Sequence, residues 1–279
     1  MGHGKRAQKC RTIDRKTAKL SFYGCLSSRI FFNALPSPRS FFKDRNYSCF
    51  INHLVIVMKK AVVLLSGGLD SAVTLYMVKS QGYEVHALSF DYGQRHSREL
   101  KAAKSLAQEA GVVSHQVVSL RLDQWGGSSL TDSTMQVEDG NVNREDIPVT
   151  YVPARNMVFL SVAASFAEAV KAQDIFIGVS QVDYSGYVDC REEFIEAMEN
   201  AVNKGTVMGA EQNIPIRIHA PFIHKTKSEE IQMGKELGVP FELTWSCYRG
   251  GTKPCGTCDS CLLRAKAFED AGVVDKALV

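Results

Sequence analysis

Lys60-Ala61-Val62-Val63-Leu64-Leu65-Ser66-Gly67-Gly68-Leu69-Asp70-Ser71 decides the fold. Ala61 to Leu65 is a continuous apolar run, the pattern of a strand buried on both faces. Ser66-Gly67-Gly68 ends it, and residues 69–81 read as a helix closed by Gly82. Two glycines let a backbone turn tightly and offer N–H groups to an anion with no side chain in the way. The helix start adds its partial positive charge. The stretch is neither the Walker pattern, which needs Gly-Lys-Ser/Thr, nor the spaced GxGxxG of dinucleotide folds. The plain alternative is a Gly-Gly turn with a Ser/Asp cap, and the strand–loop–helix context argues for phosphate. Asp70 suits Mg²⁺ or bracing of the loop better than direct phosphate contact.

Outward from this loop, strands and helices alternate. Val85 to Phe90, a segment around Val117-Val118, and Asp174 to Val179 read as strands. Helices are expected over about 97–110, ended by Gly111, and over 156–170. Asp189 with Glu192 reads as a capping box for a helix to about Asn203, and Thr226 with Glu229 repeats the signature before Gly238. Residues 120–153 form a long irregular stretch, a length that more often serves function than linkage. The fold class is therefore α/β: a doubly wound, mostly parallel sheet with helices on both faces, a Rossmann-like arrangement. Ligands of such sheets sit beyond the carboxyl ends of the strands. Phe159, Val162, Ala163 and Phe166 form a core stripe with no cofactor reading.

The net charge of +3 is unevenly spread. Residues 1–57 carry 11 Lys/Arg against two acids, whereas the rest of the chain carries 22 against 28. An acidic body argues against a broad nucleic-acid footprint. No apolar run approaches the roughly 20 residues of a membrane helix. Residues 1–57 lack helical or alternating periodicity; their basic, acid-poor texture fits a targeting segment or, more simply, a disordered stretch upstream of a natural start at Met58. The expected organisation is this extension (1–57), a catalytic domain (58–240) and a metal-binding terminal segment (241–279).

Eight cysteines are present, and four crowd into one short stretch as Cys247, Cys255, Cys258 and Cys261. A spread disulfide framework would look different; clustering points to a metal site in a reducing compartment. The C-x2-C gaps place thiolates around tight turns at the separation tetrahedral Zn²⁺ requires, and four thiolates leave no position for an activated water. One structural Zn²⁺ per chain is expected, with an iron–sulfur cluster as the rival. Cys190 stands alone beside Arg191, as readily a small buried residue as a reactive one.

Six motifs in order carry a resemblance: the loop 66–71; Asp91-Tyr92-Gly93-Gln94-Arg95-His96; Val152-Pro153-Ala154-Arg155-Asn156; Gly178-Val179-Ser180; Asp183-Tyr184-Ser185-Gly186-Tyr187; and Asp189-Cys190-Arg191, followed by the four-Cys tail. The loop resembles the PP-loop ATP pyrophosphatases, and the set resembles the 7-cyano-7-deazaguanine synthase family from Met58 to about Gly272. Ser180 stands where Asn is expected and Val188 where Pro is usual. The resemblance implies conversion of 7-carboxy-7-deazaguanine and ammonia to the 7-cyano compound in queuosine precursor synthesis. The carboxylate is adenylated, ammonia gives the amide, and a second adenylation leads to the nitrile, with AMP and pyrophosphate released. It also implies a cytoplasmic homodimer using ATP with Mg²⁺ and binding neither nucleic acid nor membrane. The body leaves no room for a glutaminase domain, which favours free ammonia.

On that resemblance, Leu65, Ser66, Gly67, Gly68, Leu69, Asp70, Ser71, Gln94 and Arg155 are expected to bind ATP. Asp70, Ser71 and Lys225 are the expected catalytic set, the lysine neutralising pyrophosphate; Lys227 opens the same helix. Asp91, Arg95, Asn156, Asp183, Tyr184, Ser185 and Asp189 are the expected substrate contacts, a carboxylate and an aromatic suiting the N–H edge and face of a deazaguanine. Asp189 is equally explained by capping, and simple capping is the plain alternative for Asn156. The alternatives are a PP-loop enzyme adenylating a tRNA base, which the acidic body disfavours, and a non-catalytic nucleotide-binding or zinc-ribbon module.

Overall fold

The computed structural model describes residues 58–141, 146–180 and 187–277; residues 1–57 and the expected contacts Asp183, Tyr184 and Ser185 lie outside it. The elements are β1 (Lys60–Leu64), α1 (Leu69–Ser80), β2 (Glu84–Asp91), α2 (Arg98–Glu109), β3 (Ser114–Ser119), α3 (Arg155–Val170) and β4 (Asp174–Phe176). There follow α4 (Glu192–Gly205), α5 (Val207–Ala210), β5 (Arg217–His219), α6 (Lys227–Glu236) and α7 (Asp259–Asp270). Five strands lie in the order β3-β2-β1-β4-β5, and every described pairing is parallel.

The period of two along β1 explains both covered faces. Ala61, Val63 and Leu65 pack with Leu75 of α1, Leu106 of α2, Ile231 of α6 and Phe268 of α7. Val62 and Leu64 pack on the opposite face with Leu160 and Ala163 of α3 and Ile195 of α4. Each fully buried Val or Leu there contributes roughly 1.5–3 kcal/mol, so an acidic side chain at Val63 would collapse one layer. The segment after residue 240 shares this core through Phe241, Ala267 and Phe268. Its buried Arg264 donates to Asp275 at 2.6 and 2.9 Å and to Thr244 Oγ1 at 2.8 Å.

Two local departures from the sequence reading have clear causes. β4 stops at Phe176 because Gly178 passes under the start of α1; a Cβ there would stand 2.8 Å from the Asp70 carbonyl. The Thr226–Glu229 capping box forms as expected. The Asp189–Glu192 box does not: α4 starts at Glu192 with Arg191 as its cap residue and no side-chain cap bond. Asp189 instead lies in a 3-10 turn, Val188–Cys190, and its Oδ2 accepts from the Asn156 amide at 3.0 Å. It thus caps α3, whose own cap residue, Ala154, has a left-handed backbone (φ 52°) and supplies no side-chain oxygen.

The irregular stretch after β3 is lashed down by arginines. Arg95 donates to the carbonyls of Asp132 (3.1 Å) and Met135. Arg249 donates to the Val137 carbonyl at 3.0 Å and to Asp139 at 2.8 Å. The stretch also meets the terminal segment directly, the Asn141 amide donating to Asp259 at 2.7 Å.

Candidate active site

Between β1 and β4 the connections run in opposite directions, the switch point at which a parallel sheet opens a crevice. The loop after β1 occupies it. Gly67 N donates to Ser71 Oγ at 3.2 Å, Gly68 N donates to Ser66 Oγ at 3.2 Å, and the Ser71 hydroxyl donates to the Gly68 carbonyl at 3.0 Å. The two hydroxyls lie 3.1 Å apart. Gly67 has φ +91°, and a Cβ there would stand 2.2 Å from the Glu99 carbonyl of α2. Only glycine fits both the conformation and the approach.

A cavity of ≈ 230 Å³ opens above the loop. Leu65, Ser66, Gly68, Leu69, Asp70 and Ser71 form its floor. Gln94, Arg155 and Asn156 reach it from the ends of the neighbouring elements. The Arg155 guanidinium lies 5.8 Å from the Tyr92 ring centre and 6.0 Å from that of Phe159, an aromatic seat for a cation. Lys227, at the first turn of α6, places Nζ 2.7 Å from Asp70 Oδ1 and 3.9 Å from Oε1 of the fully buried Glu230.

The terminal segment closes the cavity with Trp245, Ser246 and Tyr248. Trp245 N donates to the Gly67 carbonyl at 2.9 Å, its indole N–H donates to the Cys247 carbonyl at 2.9 Å, and Arg98 lies 4.7 Å over its ring. The sulfur atoms of Cys247, Cys255, Cys258 and Cys261 all lie within 4.8 Å of one another, and none is in a disulfide. The Cys255–Cys261 separation is 3.9 Å, against about 3.8 Å for the edge of a tetrahedron with the 2.3 Å metal–sulfur bonds of zinc. Backbone amides of Cys255 and Cys258 donate to Cys247 and Cys255 sulfurs, each at 3.3 Å, support suited to thiolates. The cluster fits a four-coordinate metal ion.

A family model described as "Queuosine biosynthesis protein QueC" matches residues 60–272. This chain belongs to the QueC family. It is 60% identical over 218 residues to 7-cyano-7-deazaguanine synthase of Clostridium kluyveri, covering 78% of this chain and 96% of that one. Identity is 53% over 219 residues to the enzyme of the same name from Thermoplasma acidophilum, covering 78% and 90%. Among solved structures, NMN synthetase from Francisella tularensis superposes with a TM-score of 0.42 at 16% identity, over 80% of this chain and 76% of that one.

Within this QueC chain the expected site residues divide into two groups. The phosphate loop, Gln94, Arg155 and Asn156 meet at the cavity, although Gly67 supports it from behind the lining. Gln94 also closes its own turn, accepting from Tyr92 N at 2.8 Å and donating to the Phe90 carbonyl at 3.2 Å. Asp91 and Arg95 stand exposed away from the cavity, and Arg95 is committed to loop carbonyls. Asp189 is buried behind the wall as the α3 cap. Lys225 does not line the cavity, where Lys227 does; the Lys225 carbonyl accepts from Ser180 Oγ at 3.1 Å. Cys190 is buried, and burial pushes its thiol up to about 12, removing it as a nucleophile at neutral pH.

Among the lining residues that sequence reasoning missed are Tyr92, Trp245 and Glu99. Tyr92 is buried within a motif already noted, and burial pushes its phenol up to about 12. Trp245 had one available signal, its position two residues before the first clustered cysteine. Glu99 had none, since it lies in the first turn of a helix whose sequence is amphipathic. Its carboxyl is pushed up to about 7 by burial, against the opposing pull of Arg155.

Proposed function

We propose that the protein converts 7-carboxy-7-deazaguanine and ammonia to 7-cyano-7-deazaguanine at the expense of ATP, releasing AMP and pyrophosphate. The observation that carries it is the QueC match running through a phosphate loop seated at the sheet's switch point. Ser66 to Ser71 binds the β- and γ-phosphates that leave, with Lys227 neutralising their charge. Asp70 holds that lysine in place and is the loop carboxylate available to an Mg²⁺ ion carried by the triphosphate, which supplies charge neutralisation. Tyr92 and Arg155 form the wall for the planar heterocycle and its carboxylate. Catalysis is then mainly orientation and electrostatics in an enclosed site.

The four cysteines hold one Zn²⁺ in a structural role, and by fixing Cys247 they fix Trp245 on the phosphate loop. The enzyme works as a soluble cytoplasmic homodimer on small molecules. No helix among the described residues is long and apolar enough to cross a membrane.

The test incubates the protein with 7-carboxy-7-deazaguanine, ATP, Mg²⁺ and ammonium and follows product mass. The nitrile, with AMP, is the expected result. ATP binding without turnover of this or other aryl carboxylates would overturn the assignment.

A further inference from the structure

Nitrogen chemistry in this site needs a proton acceptor, because the ammonia supply at neutral pH is almost entirely ammonium. Among the described residues lining the cavity only Asp70 and Glu99 carry carboxylates, and none is histidine or cysteine. Asp70 is held by Lys227 at 2.7 Å on the phosphate loop. Glu99 comes from a different element, α2, and no ion pair among the described residues engages it.

Among the described residues the other charged or titratable groups around the cavity are Tyr92 after β2, Arg155 on α3, Lys227 on α6, and Tyr248 and Arg264 of the terminal segment. Arg264 is occupied by Asp275, and Tyr92 holds its proton throughout the neutral range. We propose that the Glu99 carboxylate is the proton acceptor for the nitrogen that this enzyme adds. The inference rests on the function proposed above and assigns a residue to its amide-forming step.

In that step ammonium gives one proton to Glu99, and the freed lone pair forms the C–N bond at the acyl-adenylate carbon. The C–O bond to AMP breaks, and AMP leaves with its electron pair. The nitrogen's remaining excess proton passes to water, and so in turn does the proton on Glu99. Burial that raises the affinity of Glu99 for a proton makes it a better acceptor than a solvated carboxylate, while leaving it ionised for a useful fraction of the time near neutral pH.

The test is Glu99→Gln, read in two half-reactions. Carboxylate-dependent exchange of labelled pyrophosphate into ATP, without ammonium, should stay within a few-fold of the parent. Amide and nitrile formation from ammonium should fall by about a hundredfold or more. Hydroxylamine is already neutral at the assay pH and needs no acceptor, so hydroxamate formation by the variant should match the parent.

A pH series at fixed total ammonium adds a second readout. The parent's rate should level off above neutrality, while the variant's should climb in proportion to hydroxide, since only preformed ammonia reacts. Loss of pyrophosphate exchange in the variant, equal damage with hydroxylamine, or unimpaired amide formation would each overturn the assignment. Absence of carboxylate-dependent exchange in the parent would instead overturn the function on which it rests.

Discussion

Gly67→Ala tests how tightly the phosphate loop is clamped against α2. The new Cβ would stand 2.2 Å from the Glu99 carbonyl, 2.8 Å from the Ala103 amide and 3.0 Å from the Ala102 Cβ, at a residue with φ +91°. None of these is the far end of a flexible side chain. Ala103 and Leu106 are fully buried, so α2 cannot retreat without disturbing the core. The left-handed backbone costs about 1–2 kcal/mol for a residue with a Cβ, and forced overpacking adds about 1–3 kcal/mol.

Gly82→Ala separates the two terms: Gly82 has φ +81°, but its added Cβ would meet nothing within 4 Å. Urea and thermal unfolding of both variants should therefore show Gly82→Ala losing only the backbone part, a fall in Tm of about 2–8 °C. Gly67→Ala should lose about 2–5 kcal/mol and most of its pyrophosphate exchange. Equal destabilisation of the two variants, with exchange intact in Gly67→Ala, would refute the clamped-loop reasoning.

Lys227→Met should lower pyrophosphate exchange by about a hundredfold while Lys225→Met leaves it nearly unchanged; the reverse pattern, read by the same exchange assay, would restore Lys225 to the site. Glu99 has a folded-state pKa raised from 4.5 to about 7, so the folded protein binds the extra proton between those values and its stability falls as pH rises through them. Glu99→Gln should therefore gain over the parent by about 3 kcal/mol between pH 4 and pH 8 in ligand-free urea unfolding, and a gap independent of pH would contradict the burial argument. Cys258→Ser should lower metal content per chain and ATP affinity together, measured by elemental analysis and calorimetry; metal loss with undiminished affinity would show that Trp245 does not depend on the cluster.

What could be read from the sequence was local in the chain. The apolar run before Gly67 sets its own strand, the glycines set the turn, and the spacing of four cysteines brings their sulfurs together without help from distant residues. Choices settled by tertiary contact were not legible. Asp189 and Glu192 carry a proper capping signature, yet the uncapped α3 competes for the same carboxylate, and burial decides for the distant amide. Lys225 and Lys227 differ by two positions at a helix start, about 200° of rotation once helical, so no pattern in the neighbouring residues tells which side faces the loop. Arg95 has the chemistry of a phosphate ligand and is spent on loop carbonyls because the chain returns there 37 and 40 residues later.

Trp245 shows how the four-cysteine segment is joined to the glycine loop and its cavity. Its amide is bonded to Gly67 and its indole to the Cys247 carbonyl, so the height of the cavity wall over the glycine loop is fixed from the sulfur cluster side. A residue two positions from Cys247 cannot shift far while that cysteine is held in the sulfur cluster. The same geometry links Glu99, whose carbonyl packs on the other side of Gly67. Loop, wall and the helix that carries the proposed proton acceptor therefore meet at one glycine, so a change at Gly67 should be felt at all three, whereas a side-chain change at Glu99 that leaves its carbonyl in place should spare the loop.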